Sequence, residues 1–137
     1  MTVYLDASVV LRVIFGAKNQ LPEWKSITRP ISSRLLTLEC MRTFDRMRFT
    51  RQEDVAELVN HREAFFQLLG RIEILPLSDE TLDQAAQALP SPLATLDSIH
   101  LASALLWQQS EGESLSFATH DGELSQAARA MGFKVLG

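Results

Sequence analysis

Two apolar periods alternate along this chain from its first residues to its last. Val3–Asp6 is a short, apolar, β-rich run that opens directly onto the apolar helical run Ala7–Phe15, the pattern of a buried strand feeding a helix. After a break at Gly16–Asn19, Leu21–Ile27 reads as a short helix with Pro22 near its start, and Pro30–Ser32 as a short strand. Ser33 is placed to cap a long helix to about Phe49, and Thr50 to cap a second to about Leu69. In that second helix Val55, Leu58, Val59, Phe65, Phe66 and Leu69 keep roughly helical spacing, and Gly70 ends it. Ile72–Leu77 predicts a strand, Ser78 or Asp79 a cap for a helix to about Ala88, and Leu89-Pro90-Ser91-Pro92 a loop. Leu96–Gln109 is a strongly apolar helix, Glu111–Ser114 a turn and Leu115–Ala118 a strand. Gly122–Met131 is a helix closed by Gly132, and Phe133–Leu136 a final strand.

Strands alternating with helices predict an α/β fold whose sheet is mostly parallel and covered on both faces. With 137 residues the chain fits one domain, residues 1–137, and can bury a substantial core unaided. No linker or internal repeat divides it. Composition adds little: 46% hydrophobic and 22% charged residues are an ordinary globular balance. The single cysteine, Cys40, has no partner for a disulfide and reads as a small buried hydrophobe suited to a reducing cytosol. The start MTVYLDASVV lacks the character of a signal peptide, and no run of 18 apolar residues is present, so a cytoplasmic protein without a membrane span is expected. A net charge of −4 gives no global attraction for nucleic acid, so any such role has to rest on a local basic patch or on metal.

Four acids change the picture. Asp6 ends the first strand, Glu39 interrupts the apolar stretch Leu35–Met41, Asp97 opens the helix Leu96–Ala104, and Asp121 follows the strand ending at Ala118-Thr119-His120. In an open parallel sheet ligands bind outside the carboxyl ends of the strands, where Asp6 and Asp121 sit and where the start of the Asp97 helix faces. Carboxylates gathered there repel unless protonated or bridged by a cation. An oxygen-only set suits Mg2+ or Mn2+ rather than zinc, and such a site activates water against a phosphodiester. Each acid alone also has a structural explanation. Asp97 and Asp121 read as N-caps, Asp6 as a turn-bonding residue and Glu39 as a solvent-facing helix residue.

In these segments the chain resembles the PIN-domain family, and within it the VapC-type toxins of toxin–antitoxin pairs. The likeness lies in Tyr4-Leu5-Asp6-Ala7-Ser8, in Leu38-Glu39, in Leu96 through Ala104, and in Thr119-His120-Asp121 followed by Leu124, Ala127-Ala128 and Gly132. It implies a three-layer α/β/α sandwich around a mostly parallel sheet of about five strands. It implies metal-dependent cleavage of RNA, with Asp6, Glu39 and Asp97 as metal ligands, Asp121 completing the site, and Ser8 and Thr119 as polar supports. It also implies a small antitoxin partner and a homodimer. The alternative is a non-catalytic PIN-fold module that acts through protein contacts alone.

Other signals are weaker. Arg42, Arg46, Arg48 and Arg51 lie close together with Asp45 as the one acid among them, and form either a phosphate-contacting patch or a solvated helix face. Arg12 is placed to reach phosphate or a partner. His100 and His120 lack the spacing of a His-carboxylate metal site, so His100 reads as a packed helix residue. Trp24 and Trp107 read as core or rim residues, and Phe65, Phe66 and Leu69 as core, with an excess apolar stripe as the mark of a dimer or partner face.

Overall fold

A short unbroken apolar run such as Val3–Leu5 belongs in a sheet buried on both faces, and it lies there as the central strand. A computed structural model describes residues 1–50 and 54–137. Strands β1 (Thr2–Leu5), β2 (Arg29–Ser33), β3 (Glu73–Leu75), β4 (Ser116–Ala118) and β5 (Lys134–Leu136) form one five-stranded sheet in the order β3-β2-β1-β4-β5, with every pairing parallel. Among the described residues six α-helices flank it: α1 (Ala7–Ile14), α2 (Leu35–Thr50), α3 (Val55–Leu69), α4 (Asp79–Ala85), α5 (Thr95–Glu111) and α6 (Gly122–Ala130). A short 3-10 helix spans Pro22–Ser26.

Successive residues of β1 serve opposite layers, as the period of a strand requires. Val3 and Leu5 join Val9, Leu36, Cys40, Phe44 and Phe65 in the core beneath α1, α2 and α3. Tyr4 joins Ile31, Leu101, Leu105, Phe117, Leu124 and Ala127 in the core beneath α5 and α6. Each large apolar side chain buried this way contributes about 1.5–3 kcal/mol. The result is the three-layer α/β/α sandwich with an all-parallel sheet.

From β1 the chain builds β2 and β3 to one side, then returns to build β4 and β5 on the other. The strand order therefore reverses between β1 and β4, and in sheets of this kind the crevice for ligands lies at the carboxyl ends of such a pair. Asp6 directly follows β1, and Thr119-His120-Asp121 directly follows β4.

Several boundaries depart from the sequence reading. Thr50 is the last residue of α2; the cap of α3 is Asp54, whose carboxylate accepts from Glu57 N at 2.8 Å. Asp at that position outcompetes Thr because its charge also meets the helix N-terminus favourably. Gly70 does end α3, yet in a right-handed conformation rather than the left-handed one of a glycine stop. β3 is three residues long and stops before Pro76, which has no N–H to pair. α4 stops at Ala85 and α5 starts at Thr95. The apolar positions of α3 divide between two faces: Leu58 and Phe65 are buried, whereas Val55 is 70%, Val59 48% and Phe66 48% exposed. Phe66 is therefore not a core residue. Arg51 lies outside the described residues.

Candidate active site

Asp6 is built into the junction between β1 and α1. It is buried, and its Oδ1 caps α1 by accepting from Val9 N at 3.1 Å and from the Ser8 hydroxyl at 2.6 Å. Its Oδ2 accepts from the Thr119 hydroxyl at 2.5 Å. Ser8 Oγ in turn accepts from His120 N at 2.9 Å, and Thr119 Oγ1 from Asp121 N at 3.0 Å. Ser8 and Thr119 thus lash the end of β1 to the end of β4 across the crevice. Asp121 caps α6 through Leu124 N at 2.8 Å and is exposed.

Glu39 arrives on α2, in the helical layer that also holds α1 and lies across the sheet from α6. Ser33, at the end of β2, accepts from Leu35 N at 3.1 Å and starts α2, which places Glu39 in the first turns of that helix, close to the same edge. Its Oε1 lies 2.6 Å from His100 Nε2, and His100 Nδ1 lies 2.8 Å from the Tyr4 hydroxyl. His100 is buried, so this chain of bonds runs through the interior.

Asp97 does not cap its helix. The N-cap of α5 is Ala94, which makes no side-chain bond, and Asp97 sits within the first turn, half-buried. Its pKa is raised, first by burial, then by the charge of Asp121, with Asp6 and Glu39 adding to the rise and His100 opposing it. All four acids therefore share one electrostatic neighbourhood. Cys40 lies in the same neighbourhood: burial, followed by the charges of Glu39 and Asp6, pushes its thiol up to about 12, which favours the neutral form.

Among the described residues, no three His, Cys, Asp or Glu side chains already stand around one point as metal ligands. Both oxygens of Asp6 and Oε1 of Glu39 are engaged in hydrogen bonds within the protein. The donor chemistry nonetheless fits a hard divalent cation: the four groups are carboxylates, and their mutual repulsion is what a cation relieves.

The family follows from comparison with known proteins. Residues 3–130 match the PIN domain family. The chain belongs to that family. Ribonuclease VapC46 of Mycobacterium tuberculosis is 30% identical over 138 residues, which cover 98% of this chain and 95% of the relative. Ribonuclease VapC47 of the same species is 38% identical over 66 residues, covering 48% of this chain and 46% of the relative. Among solved structures, FitAB bound to the IR36 DNA fragment aligns with a TM-score of 0.69 at 17% identity, covering 98% of this chain and 93% of that one. PAE2754 from Pyrobaculum aerophilum aligns with a TM-score of 0.62 at 19% identity, covering 96% and 86%.

Around this PIN-domain crevice, sequence reasoning gave little weight to two residues. Tyr4 was treated as strand and His100 as packing, yet the two form the bonded path to Glu39. The available signal was His100 itself, a polar ring in an otherwise apolar helix face, three residues after Asp97. The arginines of α2 are exposed, and Asp45 holds two of them: Arg42 at 3.0 Å and Arg48 at 2.8 Å. Arg48 also stacks over Phe49, 4.5 Å from the ring centre. Arg46 is exposed on the same helix. Trp107 is buried beneath Arg29, and Trp24 packs against the core. Among the described residues, no helix is long and apolar enough to cross a membrane.

Proposed function

We propose that this PIN-domain protein is a metal-dependent endoribonuclease, the toxin of a toxin–antitoxin pair, and that Asp6, Glu39, Asp97 and Asp121 hold the metal. The observation that carries the reading is the raised pKa of Asp97, caused by burial and by the charges of the other three acids at the crevice where the strand order reverses. A bound Mg2+ or Mn2+ supplies the charge that lowers the pKa of an attacking water and offsets the charge of the cleaved phosphodiester.

The chain's own residues do the rest. Ser8 and Thr119 fix both oxygens of Asp6, the Asp121 carboxylate is held at the N-terminus of α6, and His100 orients Glu39. No side chain here forms a nucleophile–base pair suited to a covalent intermediate, so water is the attacking group in this reading. The names of the ribonuclease relatives support RNA as substrate.

The reading also assigns a small antitoxin that covers the crevice and offers a Lys or Arg to the acids, since four neighbouring carboxylates favour a cation of either kind. The exposed apolar stripe Val55, Val59 and Phe66 supports a protein interface, with an antitoxin or a second copy.

The test is RNA cleavage by the purified, partner-free protein. Cleavage is expected with Mg2+ or Mn2+, absent with EDTA and restored when metal is returned. Cleavage that persists in EDTA would overturn the metal reading. A metal-replete protein that cuts no RNA yet binds a partner would favour the non-catalytic module.

A further inference from the structure

We propose that His100, held by Tyr4, is the positioning residue for Glu39, and that it fixes this acid of one helical layer relative to the helix that carries Asp97 in the other. The proposal rests on Glu39 being a metal-binding carboxylate.

Glu39 and Asp97 approach the crevice from opposite faces. α2 packs in the core with α1 and α3, whereas α5 packs in the core with α6. The sheet lies between the two layers, so nothing local to either helix sets the separation of the two acids. The Glu39–His100 bond spans that gap at 2.6 Å, joining residues 61 apart in sequence. His100 is one helical turn beyond Asp97 on α5, so the bond fixes Glu39 relative to the helix that carries Asp97.

The geometry argues against His100 as a ligand itself. Both ring nitrogens are engaged, Nδ1 by Tyr4 and Nε2 by Glu39, and the side chain is 1% exposed. Its partners set its tautomer. The Glu39 carboxylate only accepts, and the Tyr4 hydroxyl can give its proton to Nδ1. The ring proton then sits on Nε2 and is donated to Glu39 Oε1. The second carboxylate oxygen of Glu39 is not needed for the bond. A hydrogen-bonded partner of this kind fixes the orientation of a metal-binding carboxylate.

Four variants, His100→Ala, His100→Gln, Tyr4→Phe and Asp97→Asn, test the proposal, read by Mn2+ titration, metal-free melting and RNA cleavage. His100→Ala is expected to weaken Mn2+ binding roughly 10–100-fold, the usual effect of losing an outer partner of a metal ligand. His100→Gln is expected to recover most of that loss, because its amide donates from near the position of Nε2. Tyr4→Phe is expected to fold, with a smaller loss of affinity. Nitrogen NMR of the parent is expected to show His100 protonated at Nε2.

Parental Mn2+ affinity in both His100 variants would overturn the proposal, as would a His100 protonated at Nδ1 alone. Equal loss in the Gln and Ala variants, matched only by lower melting temperatures, would make His100 a packing residue. Asp97→Asn separates this from failure of the wider reading. If that variant binds Mn2+ and cleaves RNA like the parent, the four-acid site itself is wrong.

Discussion

Replacing Asp97 by Asn tests the site most directly, because two effects of opposite sign meet there. Asp97 lies in the first turn of α5, where a negative charge is favoured by about 0.3–1 kcal/mol through the helix N-terminus, and Asn forfeits that. Against it stands repulsion from Asp121, Asp6 and Glu39 together with the cost of half-burying the carboxylate. Near an effective dielectric of 20, a close like-charged pair costs a few kcal/mol, and solvent at a partly open site reduces that to about 1 kcal/mol. The metal-free variant should therefore match the parent at neutral pH or exceed it by up to about 1 kcal/mol, which is roughly 4 °C in melting temperature for a domain of this size.

The pH profile carries the same information. A raised pKa means that the folded parent keeps the Asp97 proton to higher pH than the unfolded chain does. Across the interval from the ordinary Asp value up to the raised one, the folded state binds more protons, so parental stability falls as pH rises. Asn removes this decline, and the two melting curves should converge below the ordinary Asp range. Mg2+ at about ten times its dissociation constant should then stabilise the parent by about 1.4 kcal/mol and the variant by far less. Paired thermal melts over pH, with and without Mg2+, beside an RNA cleavage assay, read all of this. A metal-free variant more than about 2 kcal/mol less stable than the parent would make Asp97 a structural residue, on the scale of a broken buried interaction. An equal Mg2+ shift in both proteins would remove it from the ligand set.

Two further perturbations probe the surroundings. Thr119→Val keeps the shape but deletes the donor to Asp6 Oδ2 and the acceptor for Asp121 N, and should cost about 1–3 kcal/mol in denaturant unfolding; a loss below about 0.5 kcal/mol would mean that the β1–β4 lashing carries no weight. Charge reversal at Arg46 should weaken RNA binding across sequences and flatten its salt dependence more than reversal at Arg48, whose charge Asp45 already offsets; unchanged binding in both would return the α2 arginines to a solvated face.

The parts of the fold that were legible in the sequence are those set by local pattern. β1 and α1 stand out because an apolar strand run meets an apolar helix run at Asp6, and the Asp cap makes that boundary sharp. Ser78, Asp121 and Gly132 mark their boundaries as read, the last with a φ of 91° that only glycine adopts easily. The family resemblance also implies Ser8 and Thr119 as polar supports, though not that they bridge two strand ends. What pattern could not reach was tertiary. Helical spacing does not say which of two apolar faces of α3 meets the core, so Phe66 was misplaced. The Tyr4–His100–Glu39 path joins positions 96 and 61 residues apart, and no periodicity encodes such a pairing. Asp54 was passed over because Thr50 offered an earlier cap of acceptable chemistry.

Asp6 caps α1, anchors β4 through Thr119 and stands among the acids of the crevice, all with one carboxylate. Its loss would remove a buried structural anchor together with whatever chemistry it performs. Asp97 has no such second duty: it makes no cap and is strained by its neighbours. In a lineage released from selection for cleavage, decay should then be ordered. Asp97 should be among the first acids to vanish, since its loss costs the fold little, whereas Asp6 should persist long after activity is gone. An aspartate preserved at the end of the first strand is thus weak testimony that a relative still cuts RNA, and an aspartate preserved at position 97 is strong testimony.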